Sequence, residues 1–389
     1  MADRPPGMLG PWPVVANRVT RFYRGGALLD AFREGTLGEG VLGQAGATAR
    51  DTDRPEDWVA SATSAWLPPD RDPSEEGLGS VVVDGANRRV RDLLARDPEG
   101  VGGPIVARAG TTTGLLVKLL DAAIRLPVHA HPTRAFARRH LGSWFGKAEA
   151  WIVLGTREVP GEPAASIRLG FRRDVGRDEL RDLITGRRSA DLLELLNERS
   201  IAPGDAWFVP PGTPHAIGAG ALILELQEPT DFSIVVETAG FPIDPEDAHL
   251  RKGWGTMLDA FDRAGLGERA LEGLRGTAPA PSGTTSAELD RTRLIPSAAD
   301  PYLRAERWLV HGEARPDEAP AFLVGVVTAG NGRVRVDGGA DLAVRPGATF
   351  AVPAAGLPRL VLEGDGLTVV ACLPPRLEDL GRDDPEVAP

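Results

Sequence analysis

The segment LPVHAHPTRAF, residues 126–136, places His129 and His131 one residue apart. On a strand, side chains i and i+2 face the same side, so both imidazoles reach one ion. The pair alone is weak, because His-x-His arises by chance and equally suits an ordinary strand with one polar face. Convergence is what raises it. Glu149 begins the strand-like stretch AEAWIVLGT, and His215 closes IAPGDAWFVPPGTPHAI. Three imidazoles and one carboxylate suit a divalent Zn, Fe, Mn or Co ion, with room for a water or substrate oxygen. Taken singly, Glu149 also reads as a solvated strand charge and His215 as a hydrogen-bonded turn residue. His140, His249 and His311 stand in no motif and read as structural or surface residues.

Of 44 basic residues only Lys118, Lys147 and Lys252 are lysine. Where arginine is the default cation, a lysine can mark a position needing a compact, titratable amine. Two of the three flank the histidine pair. The formal net charge of −11 argues against a general nucleic-acid binder, which shows a basic patch. It leaves room for an anionic metabolite, because the field in a pocket is local. No apolar run approaches the length of about 18 residues that spans a membrane. The N-terminus lacks the basic and apolar regions of a signal peptide. The single cysteine, Cys372, excludes an intrachain disulfide and fits a reducing compartment, so a cytoplasmic location is expected.

A chain of 389 residues is expected to form two or three domains. SVVV (80–83), LLVKLLDAAIRLPVHAHP (115–132), 148–156 and SIRLGF (166–171) read as strand-like. Short helices are expected at 87–94 and from Phe136 to His140. Between Arg177 and Arg199 apolar residues recur at helical spacing, and Gly186 divides the stretch into two short helices. Another helix is expected at 247–264, a linker at 277–286, and a β-rich region at 301–375. One internal repeat bears on architecture: IAPGDAWFVPPGTPHAI from Ile201 matches VRPGATFAVPAAGLPRL from Val344, with Pro358 where the first copy has His215. The pattern fits two small antiparallel barrels, one with a polar site and one without. Gly204-x5-Pro210-x-Gly212-x2-His215 has the form of the second motif of cupin barrels. The expected fold is therefore mainly β, a double cupin with a helical insertion. Its expected units are a catalytic cupin domain at 1–240 with the insert at about 177–199, a helical segment and linker at 241–295, and a cupin-like domain without metal ligands at 296–389.

HAHPTRAFARRHLGSWFGKAEAW, followed by FVPPGTPHAIGAGALILELQEPTDFS, resembles the class I mannose-6-phosphate isomerases, metal-dependent cupin enzymes. The resemblance covers most of 15–375 and is most specific over 114–155 and 200–235. It implies metal ligation by His131, Glu149 and His215. His129 stands where the family has a glutamine ligand, and it still coordinates. Lys118 and Lys147 match active-site lysines, and Asp231 matches the position expected for the base, with hydroxide on the ion as competitor. Arg134 occupies a frequently basic position after His-Pro. Four residues beyond Asp231 the family usually has an arginine, and here it is Val235; Arg172 or Arg173 is expected to supply that cation, unless none is needed.

The implied reaction interconverts mannose 6-phosphate and fructose 6-phosphate through a cis-enediol, in a monomer or homodimer using one divalent ion, zinc before manganese, iron or cobalt. Catalysis falls to Lys118, Lys147 and Asp231, and substrate binding to Arg134, Lys147 and Arg172. The partner is a small sugar or sugar phosphate, with neither nucleic acid nor membrane. Three alternatives stay open: an isomerase of a different or unphosphorylated sugar, a metal cupin oxygenase, and a non-catalytic sugar-binding cupin.

Overall fold

LLVKLLDA and ALILELQ are apolar at nearly every position because both faces of the sheet they form are covered, so the usual alternation is masked. In the computed structural model, which describes residues 4–37, 50–67, 75–276, 280–281 and 286–381, they become the strands Leu116–Ala122 and Ala221–Gln227, buried at every residue. They lie centrally in an antiparallel six-stranded sheet, in the order Ala206–Val209, Glu149–Thr156, Ala221–Gln227, Leu116–Ala122, Glu56–Val59 and Arg18–Val19. The register aligns Trp207, Trp151, Glu225, Lys118 and Trp58 as one cross-strand row. Directly opposed residues share a face, so this row brings a carboxylate and an amine together between tryptophans.

A five-stranded sheet covers that face: Leu196–Ser200, Ser166–Phe171, His215–Ile217, His129–Ala130 and Ile234–Val235. The two sheets share an apolar cluster in which Leu120, Trp151, Val153 and Trp207 pack with Ile167, Leu169 and Ile217. The other face of the six-stranded sheet, with Val117, Leu119, Ile152 and Leu224, packs against Trp12, Phe32, Val324, Val326 and Cys372. The six-stranded sheet is thus packed between the five-stranded sheet and the C-terminal β structure.

The C-terminal sheet is larger than its sequence segment. Trp12–Val15 pairs with Thr349–Val352 on one side and with Ser80–Val83 on the other, and Ala86–Arg89 extends the edge. Hydrogen bonding therefore does not divide at residue 240: strands from the first ninety residues complete the C-terminal sheet. Inside, Trp308, Leu323, Val334, Phe350 and Leu362 pack together, and beside Trp308 lies a buried ion cluster of Arg291, Glu306, Glu318 and Arg304. A Cβ at Gly325 would lie 2.2 Å from the Phe350 ring, so glycine is required for that ring to seat. The repeat holds at the level of conformation: Gly204 and Gly347 adopt φ of 92° and 84°, each just before a strand.

Helices differ from expectation in three places. Arg177–Thr185 and Ser189–Glu194 form the two insert helices, but Leu196–Ser200 is a strand. There Asn197 Nδ2 reaches the carbonyls of Leu169, Gly170 and Leu266, holding the segment to the sheet edge. The 247–264 region holds short turns, Pro245–Ala248, Trp254–Met257 and Leu258–Ala260, interrupted where Leu250, Arg251 and Gly253 take positive φ. At 87–94, Ala86–Arg89 is a strand and the helix is Val90–Arg96. The expected linker lies largely outside the described residues.

Arg134 opens the helix Arg134–Leu141, capped by Thr133. Its side chain leaves the sugar side altogether. Nε lies 2.6 Å from Glu228 Oε1, Nη2 donates to the Pro301 carbonyl at 2.9 Å, and the guanidinium stands over Tyr302 and Trp144. This buried pair clamps the barrel to the C-terminal half, and Arg134, expected to bind substrate, is not among the residues lining the cavity beside His129. Removing one member of a buried pair leaves the other uncompensated, at a cost of about 3–5 kcal/mol. Arg134→Met is expected to lower the melting temperature by several degrees while KM of the folded enzyme stays unchanged. A raised KM with unaltered melting would return Arg134 to the substrate.

Candidate active site

His129 and His215 stand directly opposite each other on neighbouring antiparallel strands, and His131 follows at the same-face spacing. The Pro210-x-Gly212 bend sets this up: Gly212, at φ 87°, donates its N–H to the His131 carbonyl at 2.7 Å. Each imidazole is then fixed by its Nδ1, 2.8 Å from a main-chain carbonyl: His129 to Pro127, His131 to Phe232 and His215 to Thr213. A carbonyl only accepts, so Nδ1 carries the proton and Nε2 presents a bare lone pair. The three rings offer ligand atoms within 4.8 Å of one another, with centroids 4.2–5.0 Å apart.

Glu149 enters from the facing sheet. Oε2 lies 3.0 Å from His131 Nε2 and Oε1 lies 3.2 Å from His215 Nε2, while Trp151 donates to Oε1. Glu149 Oε2 and His215 Nε2 are nevertheless buried without a hydrogen-bond partner. Lone pairs facing lone pairs are what a cation resolves. The Lys147 ammonium is drawn to the same spot, 2.9 Å from His131 Nε2 and 3.2 Å from Glu149 Oε2. Burial and the neighbouring charges of His215, His131 and Lys147 hold His129 well below its ordinary pKa; burial and Lys147 hold His131 at about 3. Burial pushes Glu149 up, but Lys147, His131 and His215 outweigh it and keep the carboxylate ionised. Neutral imidazoles beside an ionised carboxylate form a competent donor set for a divalent ion, and all four expected ligands are together.

The second half of the site is a charge cluster on the six-stranded sheet. Lys118 Nζ lies 3.3 Å from Glu225, 3.7 Å from Asp231 and 3.9 Å from Glu56. Asp231 also accepts from Arg21 and from the Trp66 main-chain N–H at 3.0 Å. Glu56 accepts from Tyr23, Arg21 and Trp58. Burial disfavours the Lys118 charge, but the three carboxylates overcome it and raise its pKa. Asp231, opposed by burial yet held by Arg21, Lys118 and Lys147, is strongly acidified. Glu225 goes the other way, pushed up by burial and by Glu149 against the pull of Lys118 and Lys147.

These groups border a cavity of about 200 Å³, whose lining includes His129, Lys147, Lys118, Glu225, Asp231 and Arg21. Val235 faces it too, where an arginine was the family expectation. Arg172 is exposed away from the cavity and Arg173 is engaged with Glu179 at the surface, so neither supplies that cation. Arg21 does stand there, and it was not anticipated. Nor were Glu56, Tyr23 and Glu225. Only Glu225 left a legible signal, a carboxylate inside an otherwise apolar strand.

Comparisons with known proteins agree with this geometry. No family model matches the chain. It is 32% identical over 239 residues to the mannose-6-phosphate isomerase of Streptococcus mutans serotype c, covering 61% of this chain and 68% of that protein. It is 29% identical over 227 residues to the mannose-6-phosphate isomerase ManA of Bacillus subtilis, covering 57% and 63%. A crystal structure of the mannose 6-phosphate isomerase from Bacillus subtilis superposes with a TM-score of 0.65 at 21% identity, over 93% of this chain and 99% of that one. This likeness establishes the cupin fold.

Two measurements follow. Protein stripped by chelation and titrated with zinc is expected to bind about one ion per chain, and His131→Ala or His215→Ala to weaken binding at least tenfold by calorimetry. Undiminished affinity in both variants would remove the site. Acid titration tests the charge cluster. Burial raises the Glu56 carboxyl, but Arg21, Lys118 and Tyr23 prevail and bring it from 4.5 to about 2. A depressed carboxylate contributes stability that is complete above its unfolded pKa and lost as pH falls through its folded one. Urea unfolding of the native protein should therefore lose on the order of 3 kcal/mol more than Glu56→Gln as pH falls from about 4.5 to 2.

Proposed function

The chain belongs to the mannose-6-phosphate isomerase family, and from that membership and the site just described we propose that it interconverts mannose 6-phosphate and fructose 6-phosphate. The observation that carries this reading is that the cavity lined by Lys118, Glu225, Lys147 and His129 abuts the three-imidazole cluster, with Lys147 reaching both His131 and the ionised Glu149. His129, His131, Glu149 and His215 would hold one divalent ion, and the nitrogen-rich donor set favours zinc. When bound, such an ion supplies Lewis-acid polarisation of the sugar's carbonyl and hydroxyl oxygens. The absence, among the described residues, of a helix long and apolar enough to cross a membrane accords with our assignment to the cytoplasm.

Proton movement falls to the chain's own groups. Aldose–ketose isomerisation takes the proton from C2 of the aldose, forms a cis-enediol, and returns a proton to C1. The base for this step needs a pKa nearer to neutrality than an ordinary carboxylate. Glu225 meets that requirement through burial and Glu149. Asp231, the residue expected from family position, is clamped by Arg21, Lys118 and the Trp66 N–H, and fits the task of orienting those donors. We therefore assign proton abstraction to Glu225. Lys118, kept protonated by its three carboxylates, donates to the substrate oxygen whose charge develops as the proton leaves. Lys147 is placed to do the same on the side of His131.

A second reading has one observation in its favour. Lys118 and Arg21 are each already engaged by carboxylates, and Val235 adds no charge, which suits an unphosphorylated sugar. A coupled assay of mannose 6-phosphate and free mannose side by side decides between them. We expect the phosphorylated sugar to win in kcat/KM; equal or faster turnover of free mannose would replace our reading with the second. Glu225→Gln keeps the shape and removes the proton acceptor, so kcat is expected to fall about 10²–10⁴-fold with little change in KM. The same loss in Asp231→Asn, with Glu225→Gln active, would return the base to Asp231.

A further inference from the structure

Arg21 is the one cavity cation to which the mechanism above gives no contact with substrate. It follows the edge strand Arg18–Val19, far along the chain from its partners. Nη2 lies 3.1 Å from Asp231 Oδ1 and Nη1 lies 3.3 Å from Oδ2, while Nε donates to Glu56 Oε2 at 2.9 Å. The guanidinium also lies over Trp58, 5.0 Å from the ring centre. Two carboxylates and an indole thus fix its plane. A guanidinium carries five N–H groups. Nε and the two terminal nitrogens are thus engaged on Glu56 and Asp231, fewer partners than the five N–H groups can serve, and the residue lines the cavity.

Exposure separates Arg21 from its neighbours. Its side chain keeps 17% of its surface, against 3% for Lys118 and 4% for Lys147. Two carboxylates, Asp231 and Glu56, offset the Arg21 charge, so Arg21 contributes direction more than net field. The cavity lining is mixed: Phe22, Trp66, Leu126 and Val235 add apolar surface to the charged groups. A fork held in a fixed plane discriminates strongly, because an unmet donor in a mostly buried site is costly.

We propose that Arg21 is a substrate-binding residue of this isomerase, held by Asp231 and Glu56 so that its free N–H edge hydrogen-bonds oxygens of the sugar. The assignment rests on the isomerase reading above. The oxygens belong either to the phosphate or to hydroxyls, and the choice of sugar separates the two.

The test is steady-state kinetics of zinc-loaded Arg21→Lys, Arg21→Gln and Arg21→Ala on mannose 6-phosphate and free mannose, with melting temperature and zinc content measured in parallel. Losing a charge-assisted hydrogen bond predicts a KM for mannose 6-phosphate raised about 10- to 100-fold in Arg21→Ala and Arg21→Gln, and less in Arg21→Lys. Added guanidinium ion should restore part of the Arg21→Ala rate. A rise confined to mannose 6-phosphate identifies the phosphate as the contact, and a rise with both sugars identifies the hydroxyls. A purely structural role would lower kcat and melting temperature, leave KM in place and give no rescue; that pattern overturns the proposal. If Arg21→Ala does not fold, the charge-free Arg21→Gln, which keeps a donor, decides. Wild-type protein inactive on both sugars would overturn the isomerase reading and this assignment with it. Active wild type with unchanged KM in all folded variants would overturn this assignment alone.

Discussion

Three imidazoles share one largely buried volume, and this is possible because each places its Nδ1 proton on a main-chain carbonyl. The carbonyls of Pro127, Phe232 and Thr213 come from three different turns, so the tautomers are set by the path of the chain rather than by side chains. With the proton committed on one side, the lone pair must face the other. Burial then keeps His129 and His131 neutral, and the ionised Glu149 becomes the negative charge beside them. Every remaining feature of the site is arranged about that charge: Lys147 leans on it, and Glu225 is pushed toward its neutral form by it.

The six-stranded sheet makes this arrangement rigid. A row running Trp207, Trp151, Glu225, Lys118, Trp58 sits on strands buried on both faces. Charged groups rarely occupy such positions unless paired. Here the pairing is mutual: Glu225 and Lys118 are direct cross-strand neighbours, and indoles close the row at both ends. Glu225, Lys118, Glu149, His129 and His215 are therefore held by main-chain ladders, whereas His131, Lys147, Asp231 and Arg21 lie outside the strands.

How much of this was legible in the chain depends on whether a residue's partners lie close in sequence. His131, His215, Glu149, Lys118 and Lys147 announce themselves through local spacing and through lysine scarcity, and the structure gathers all five. The repeat at Pro203-Gly204 and Pro346-Gly347 likewise marks two equivalent strand entries. Arg21, Glu56 and Tyr23 gave no such signal, since they acquire meaning only when an edge strand pairs across the barrel. Arg134 and Arg172 show the opposite difficulty. Arg134 closely follows the histidine pair and Arg172 follows the strand Ser166–Phe171, yet one points into the contact between the two halves and the other is exposed, because helix phase and strand ends decide direction. Leu196–Ser200 shows that two adjacent leucines satisfy helix and strand alike until Asn197 finds the sheet-edge carbonyls.

The seam formed by Trp12–Val15 has a consequence for biosynthesis. This strand is synthesised more than 330 residues before its partner Thr349–Val352. At ordinary elongation rates of about 5–20 residues per second, it waits some tens of seconds before its ladder can close. By then the histidines, Glu149 and the carboxylates that fix Arg21, Glu56 and Asp231, have all been made. The cavity is therefore able to assemble before the seam that ties the early strands to the C-terminal sheet.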